Sequence, residues 1–277
     1  MRRSTLVGAL LGCALGCQFP AYGFLPCEPG SASCEDGPDG SAAAADADAS
    51  AQGDACPPPI AADSFSRDGT GGFGPADIGG TWKVTDKANA SVSDGQARVV
   101  MSAGAGSEAV LDQVSVLDID ETVVVASDKP CAPTDAGTSG IFAYVYGRMG
   151  PDGSYWVGLW ITERNTVQLG ITRYVQGVES TIELSGDVFG IEYAPGMRLR
   201  IRARYQGTNP TRISGKIWQD GVSEPAAWTV EATDATPELQ VPGAPALKAY
   251  LSSRATNAPV TMTFDDFVVR APGTCGD

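Results

Sequence analysis

The sequence predicts an all-β domain on an exported, tethered chain. Beyond about residue 61, β-branched and aromatic side chains alternate with polar ones between turns rich in Gly, Pro, Asn and Asp, and no helical period is sustained. Of the 277 residues, only that stretch has the hydrophobic density to bury a core. One domain of roughly 210 residues is an ordinary size for an all-β sandwich. The net charge of -14 excludes nucleic acid as a partner, because phosphate contacts need a basic surface. Acidity in itself names no partner and mainly favours solubility.

Residues 1–17 read as a signal peptide: Arg2 and Arg3, then a short apolar run from Leu6 that ends among small residues, too short for a membrane span. A cysteine directly after small residues resembles the lipobox of bacterial lipoproteins, whose cysteine is lipidated. Ala14-Leu15-Gly16-Cys17 has the proper apolar length before it, whereas Leu10-Leu11-Gly12-Cys13 has the better box and a shorter run. Cys17 is the preferred lipidation site, Cys13 the alternative, and secretion without a lipid stays open. The expected location is the bacterial cell envelope, extracytoplasmic on the outer membrane or cell surface, with membrane contact only through the anchor.

Residues 18–61 read as a disordered tether. No Lys or Arg occurs from Gln18 to Ile60, while Glu28, Glu35, Asp36, Asp39, Asp46, Asp48 and Asp54 are spread among Ala, Ser, Gly and Pro, and such a segment cannot bury enough apolar surface to offset its chain entropy. A coil of that length reaches roughly 35 to 40 Å. The seven cysteines suit an oxidising compartment. Cys56 precedes the first expected strand and Cys275 follows the last, so antiparallel pairing of those strands brings the two together as a disulfide. Cys27 and Cys34 can close a small loop. Cys131 is left over if Cys17 is lipidated, and lipidation of Cys13 makes the count even.

Within the domain, expected at residues 62–271 with a short tail at 272–277, three segments register as a meander: Ile141 to Arg148, Ser154 to Thr162 and Thr166 to Tyr174. Pairing Arg148 with Ser154 sets Val145 against Val157, Ala143 against Leu159 and Ile141 against Ile161, an aliphatic face that must be core. The opposite face carries Phe142, Tyr144, Tyr146 and Arg148, then Trp156, Gly158 and Trp160, then Gln168, Gly170, Thr172 and Tyr174, a trough with a glycine floor and aromatic walls. Rings on a strand face can stack on pyranose faces while polar neighbours hydrogen-bond, so Tyr144, Tyr146, Arg148, Trp156 and Trp160 are the candidate ligand-binding residues. The alternative is a second small core under loops.

Arg198, Arg200, Arg202 and Arg204 share one face of a further strand, either to recognise an acidic polysaccharide or, more simply, as a solvated face paired with acids. Lys216-Ile217-Trp218 and Glu224 to Trp228 read as strand, turn and strand, with packed tryptophans. The last strand, Val260 to Val269, slips phase at Asp265-Asp266, where a bulge lets Phe264 and Phe267 both point inward. Without a histidine, Ser-His-Asp and Cys-His mechanisms and His-bearing zinc sites cannot be built.

Asp63-Ser64-Phe65-Ser66-Arg67, Gly79-Gly80-Thr81-Trp82, the Lys216 to Trp228 segment, Ala249-Tyr250-Leu251-Ser252 and Phe264-Asp265-Asp266-Phe267 together resemble the concanavalin A-like lectin/glucanase (LamG-like) domains of bacterial secreted and phage structural proteins. The resemblance implies an antiparallel two-sheet jelly roll whose glycan surface, where one exists, is the concave sheet. It also implies a structural Ca²⁺ near the terminal strands, with Asp63 and Asp266 as matching ligands, unless these only satisfy turn and bulge amides. Laminarinase-type relatives carry catalytic acids as Glu-x-Asp-x-x-Glu, which appears nowhere in this chain; Asp118-Ile119-Asp120-Glu121 is the nearest approach. No catalytic residue is expected. The functional expectation is a non-catalytic lectin-like envelope lipoprotein that binds a polysaccharide or surface glycan, the alternatives being a structural or protein-interaction module and, third, a glycosidase with two carboxylates in a cleft.

Overall fold

Alternation of apolar and polar side chains builds two antiparallel sheets in the computed structural model, which describes residues 58–132 and 139–273. The signal peptide, the tether up to residue 57, Cys17 and its alternative Cys13, Cys27, Cys34 and the bridge between Cys56 and Cys275 lie outside the described residues. Among the described residues no helix is long and apolar enough to cross a membrane.

The strands are β1 (Ala61–Asp63), β2 (Gly69–Thr70), β3 (Lys83–Val84), β4 (Ala90–Ser93), β5 (Gln96–Met101), β6 (Gly106–Val110), β7 (Ile119–Ser127) and β8 (Gly140–Gly150). They continue with β9 (Gly153–Thr162), β10 (Val167–Val175), β11 (Val178–Leu184), β12 (Leu199–Gln206), β13 (Thr211–Gln219), β14 (Val230–Asp234), β15 (Ala244–Leu251) and β16 (Val260–Arg270). One sheet runs β14-β13-β12-β7-β16-β5-β4-β2, with β1 added on β16; the other runs β11-β10-β9-β8-β15-β6-β3. Stacked face to face, they make the jelly-roll sandwich that the resemblance implies.

The meander has the expected register: Ile141 pairs Ile161, Ala143 pairs Leu159, Val145 pairs Val157, and Leu169 and Ile171 continue the row on β10. All of these are buried between the sheets, because period-2 geometry sends alternate residues to one side. Gly215 of β13 lets the sheets close here, since a Cβ at that position would lie 2.7 Å from Val157 Cγ1.

Arg148 departs from the expectation. It does not pair with Ser154: Gly147 pairs Tyr155 and Gly150 pairs Gly153, so β8 carries one extra residue and Arg148 sits at a bulge with φ 58°. The bulge turns its side chain away from the trough and into the protein, where the side chain is fully buried. Its guanidinium donates to Thr211 Oγ1 at 2.7 Å and to the carbonyls of Gly207 and Leu117, tying strand ends together.

The bulge expected at Asp265-Asp266 is present between Asp265 and Val268, and both Phe264 and Phe267 point into the core. β1 lies antiparallel on β16, Asp63 against Phe267. Glu224 to Trp228 is a loop rather than a strand. Lys216 Nζ holds it by donating to the Pro225 carbonyl at 3.0 Å and by pairing with Glu224, and Pro225 has no N–H to give a ladder. Trp228 then lies under three cations, 4.6 Å from Lys216 Nζ and 5.1 and 5.9 Å from the guanidinium carbons of Arg204 and Arg202. The arginine face is paired with acids: Arg198 and Arg200 with Asp220, Arg202 and Arg204 with Asp120.

Candidate functional site

Strand pairing lays aromatic side chains in rows across the outer face of the seven-stranded sheet. Tyr250, Phe142, Trp160 and Gln168 form one row; Glu108, Lys248, Tyr144, Gly158 and Gly170 the next; Ala246, Tyr146, Trp156 and Thr172 the third. The rings form a continuous run. Trp160 stacks on Phe142 at 5.8 Å, Phe142 on Tyr144 at 6.0 Å, Tyr144 meets Trp156 edge-on at 5.8 Å, Tyr146 packs on Trp156 at 5.1 Å, and Tyr174 lies 6.2 Å beyond.

The glycine floor is covered. The Tyr144 ring lies over Gly158, where a Cβ would come within 2.8 Å of Cδ1, and Leu184 of β11 covers Gly170. Tyr146 and Trp156 form a small cluster with Ala246, separate from the main core, so part of the expected second core exists. The open space lies at one end of the run: a cavity of about 300 Å³ between Tyr146, Trp156 and Tyr174, with Glu108, Glu179 and Lys248 around it. A second depression of about 390 Å³ adjoins it, sharing Glu108 and Lys248 and reaching to Tyr250.

Polar atoms stand ready in this space. Tyr146, Ser154, Trp156, Glu108, Glu179 and Lys248, all with polar side-chain atoms, line it. Burial pushes both tyrosine phenols well up, and the Glu179 carboxylate, joined at Tyr146 by Glu108, adds to the shift. Burial likewise raises the Glu108 carboxyl, against the opposing effect of the Lys248 ammonium. Lys248 Nζ lies 5.7 Å from the Tyr144 ring centroid.

Of the sequence-predicted ligand residues, Tyr146 and Trp156 line this cavity, and Tyr144 packs edge-on against both from beside it. Trp160 stands at the far end of the run, with its N–H donating to the Ser139 carbonyl at 3.3 Å, and Arg148 is inside the protein. Glu108, Glu179 and Lys248 were not foreseen. The alternation in Ala244–Leu251 could have put Lys248 on the face of Tyr250, but only the insertion of β15 between β8 and β6 brings Glu108 to it.

The residues expected to hold Ca²⁺ do not fit that ion. Asp63 is buried with both carboxylate oxygens taken: Arg67 donates to each at 2.7 Å, the Phe65 amide to Oδ1 and the Trp82 indole to Oδ2. A carboxylate saturated by a guanidinium has no lone pair aimed at a cation. Asp266 is exposed and pairs instead with Arg200. Among the described residues no three metal-ligating side chains converge. The Asp118 to Glu121 stretch lies at the start of β7, on the other sheet, with Asp120 bound to Arg202 and Arg204 and Glu121 in the core.

No protein-family model and no curated protein matches the chain. Among solved structures it is similar to a β-glucanase of Bacillus licheniformis, at 15% identity over 75% of this chain and 96% of that one, with a TM-score of 0.49. It is also similar to a β-1,3-1,4-glucanase (lichenase) derived from a mouse hindgut metagenome, at 13% identity over 69% and 92% of the two chains and a TM-score of 0.49. A third is the CBM2 module of the evolved Dit of Lactobacillus casei BL23 phage J-1, at 9% identity over 76% and 94% and a TM-score of 0.47.

Proposed function

We propose that the domain is a non-catalytic carbohydrate-binding sandwich, held at the bacterial cell envelope by a lipid on Cys17. The observation that carries the binding reading is the aromatic run ending in a cavity of about 300 Å³ that Tyr146, Trp156 and Tyr174 line together with Ser154, Glu108, Glu179 and Lys248. Apolar ring faces beside directional polar groups are what pyranose recognition needs, and that volume is at the small end of the range for ligand sites. The adjoining depression supplies room for a second sugar unit. On a glycan array the wild type is expected to bind oligosaccharides. Trp156→Ala removes one wall and lowers affinity by about tenfold or more, and Tyr174→Ala, at an exposed position, lowers it without disturbing the core. Binding by neither wild type nor variants would overturn the reading, and release of reducing ends from a bound oligosaccharide would overturn its non-catalytic part.

The low exposure of Tyr146 and Trp156, 2% and 5%, favours a second reading: a protein-interaction module in which the rings only support the sheet. That reading predicts that a saturating oligosaccharide leaves tryptophan emission and its quenching by acrylamide unchanged, whereas the binding reading predicts protection. The anchor is tested separately by palmitate labelling in cells, expected to be lost in Cys17→Ala and kept in Cys13→Ala.

A further inference from the structure

We propose that the glycan taken by this site carries protonated amines, as an oligomer of de-N-acetylated hexosamine does; the inference rests on the carbohydrate-binding reading and adds the charge of the ligand. The cavity is lined by three aromatic rings, Tyr146, Trp156 and Tyr174, and aromatic π systems attract cations. Two carboxylates, Glu108 and Glu179, line the same space, and both act on the Tyr146 hydroxyl. The single cation there, Lys248, is the cross-strand neighbour of Glu108 and offsets that charge. Glu179, on the edge strand β11 opposite Tyr174, has no cationic partner among the described residues.

The site therefore carries one net negative charge over an aromatic surface. A uronic-acid polymer would bring a second anion to partly buried Glu108. A neutral sugar would leave Glu179 without a partner. An ammonium on the sugar ring meets the aromatic faces and Glu179 together. The protein already contains that arrangement in one copy: the Lys248 ammonium lies 5.7 Å from the centroid of Tyr144 on the same surface.

The test is calorimetric titration at mildly acidic pH, which protonates sugar amines, with glucosamine hexamer, its N-acetylated counterpart, cellohexaose and an oligogalacturonate. The glucosamine hexamer is expected to bind about tenfold or more tightly than the acetylated and neutral hexamers. Glu179→Gln, at an exposed position, should bring the three level. Because the chain carries a net charge of -14, a polycation can also adhere without a site. Asp68→Asn, an equal charge change on an exposed residue before β2, controls for this and is expected to leave affinity unchanged. Equal binding of acetylated or neutral hexamer by the wild type, tighter binding of the oligogalacturonate, or an equal loss in Asp68→Asn and Glu179→Gln overturns the charge inference and leaves the carbohydrate reading standing. Binding of none of the four sugars overturns both.

Discussion

Asp63→Asn is expected to lower the unfolding free energy by about 3 to 5 kcal/mol, the usual cost of removing one partner from a buried ion pair. The Asp63 side chain is fully buried and that of Arg67 22% exposed, so the guanidinium left behind is poorly rehydrated. The loss spreads beyond the pair. Asp63 also accepts from Trp82 Nε1 at 2.7 Å, and Trp82 packs against Phe267 at 5.3 Å and stacks on Phe65 at 6.3 Å. One carboxylate thus fastens the N-terminal strand, its following loop and the last strand to a shared aromatic cluster. For a domain of this size the melting temperature should fall by roughly 6 to 20 °C. Since these oxygens are spent on Arg67 and Trp82, EDTA should leave the wild-type transition where it is. A melting temperature that drops in EDTA, with that drop absent in Asp63→Asn, would restore the cation.

The second large effect has the opposite sign. Glu121 points into the core from β7, between Ala203 of β12 and Val269 of β16, and neither of its carboxylate oxygens has a partner. Burial, reinforced by the neighbouring Asp120 carboxylate, pushes its carboxyl well above 4.5. The folded protein therefore keeps a proton that the unfolded chain releases. With more protons bound in the folded state, stability is complete below the unfolded value near 4.5 and declines as pH rises towards the folded value, with a slope approaching about 1.4 kcal/mol per pH unit. Glu121→Gln removes this titration, so its advantage over wild type should be small at pH 4 and grow steadily to pH 7. Glu121→Met, which also removes the unpaired polar atoms, should be more stable than Glu121→Gln at every pH. Denaturant unfolding of the three proteins across that range checks both statements, and parallel curves for wild type and Glu121→Gln would show that Glu121 does not titrate with folding.

Much of the fold was legible because its signals are local. The meander follows from period-2 alternation joined by short turns, and a slip of one residue would have turned Ile141, Ala143 and Val145 out to solvent. The phase change at Asp265-Asp266 likewise announced a bulge, since two phenylalanines three apart cannot both face the core of an unbroken strand. Arg148 was not legible. The inward position after Val145 is Gly147, which has no side chain to mark the phase before β8 takes its extra residue, so the alternation could be carried one step too far, and the arginine was placed outside.

The binding site divides along the same line. Tyr144, Tyr146 and Trp156 could be read as neighbours from the sequence because one hairpin carries them all. Their charge environment was decided by tertiary structure: Glu108, Lys248 and Glu179 arrive on β6, β15 and β11, and β6 and β15 reach the site through pairings between distant parts of the chain. Asp63 shows the same limit in another form. Its position beside the last strand was readable from sequence, but whether it faced a cation or a guanidinium depended on the fold of the loop that carries Arg67 back to it. By itself, then, the sequence determined the class of fold, the strand phases and the aromatic face, all set by the period of the extended chain. Which end of that face is open, and which charges stand around it, only the packing of distant strands could decide, because no local pattern encodes strand order across a sheet.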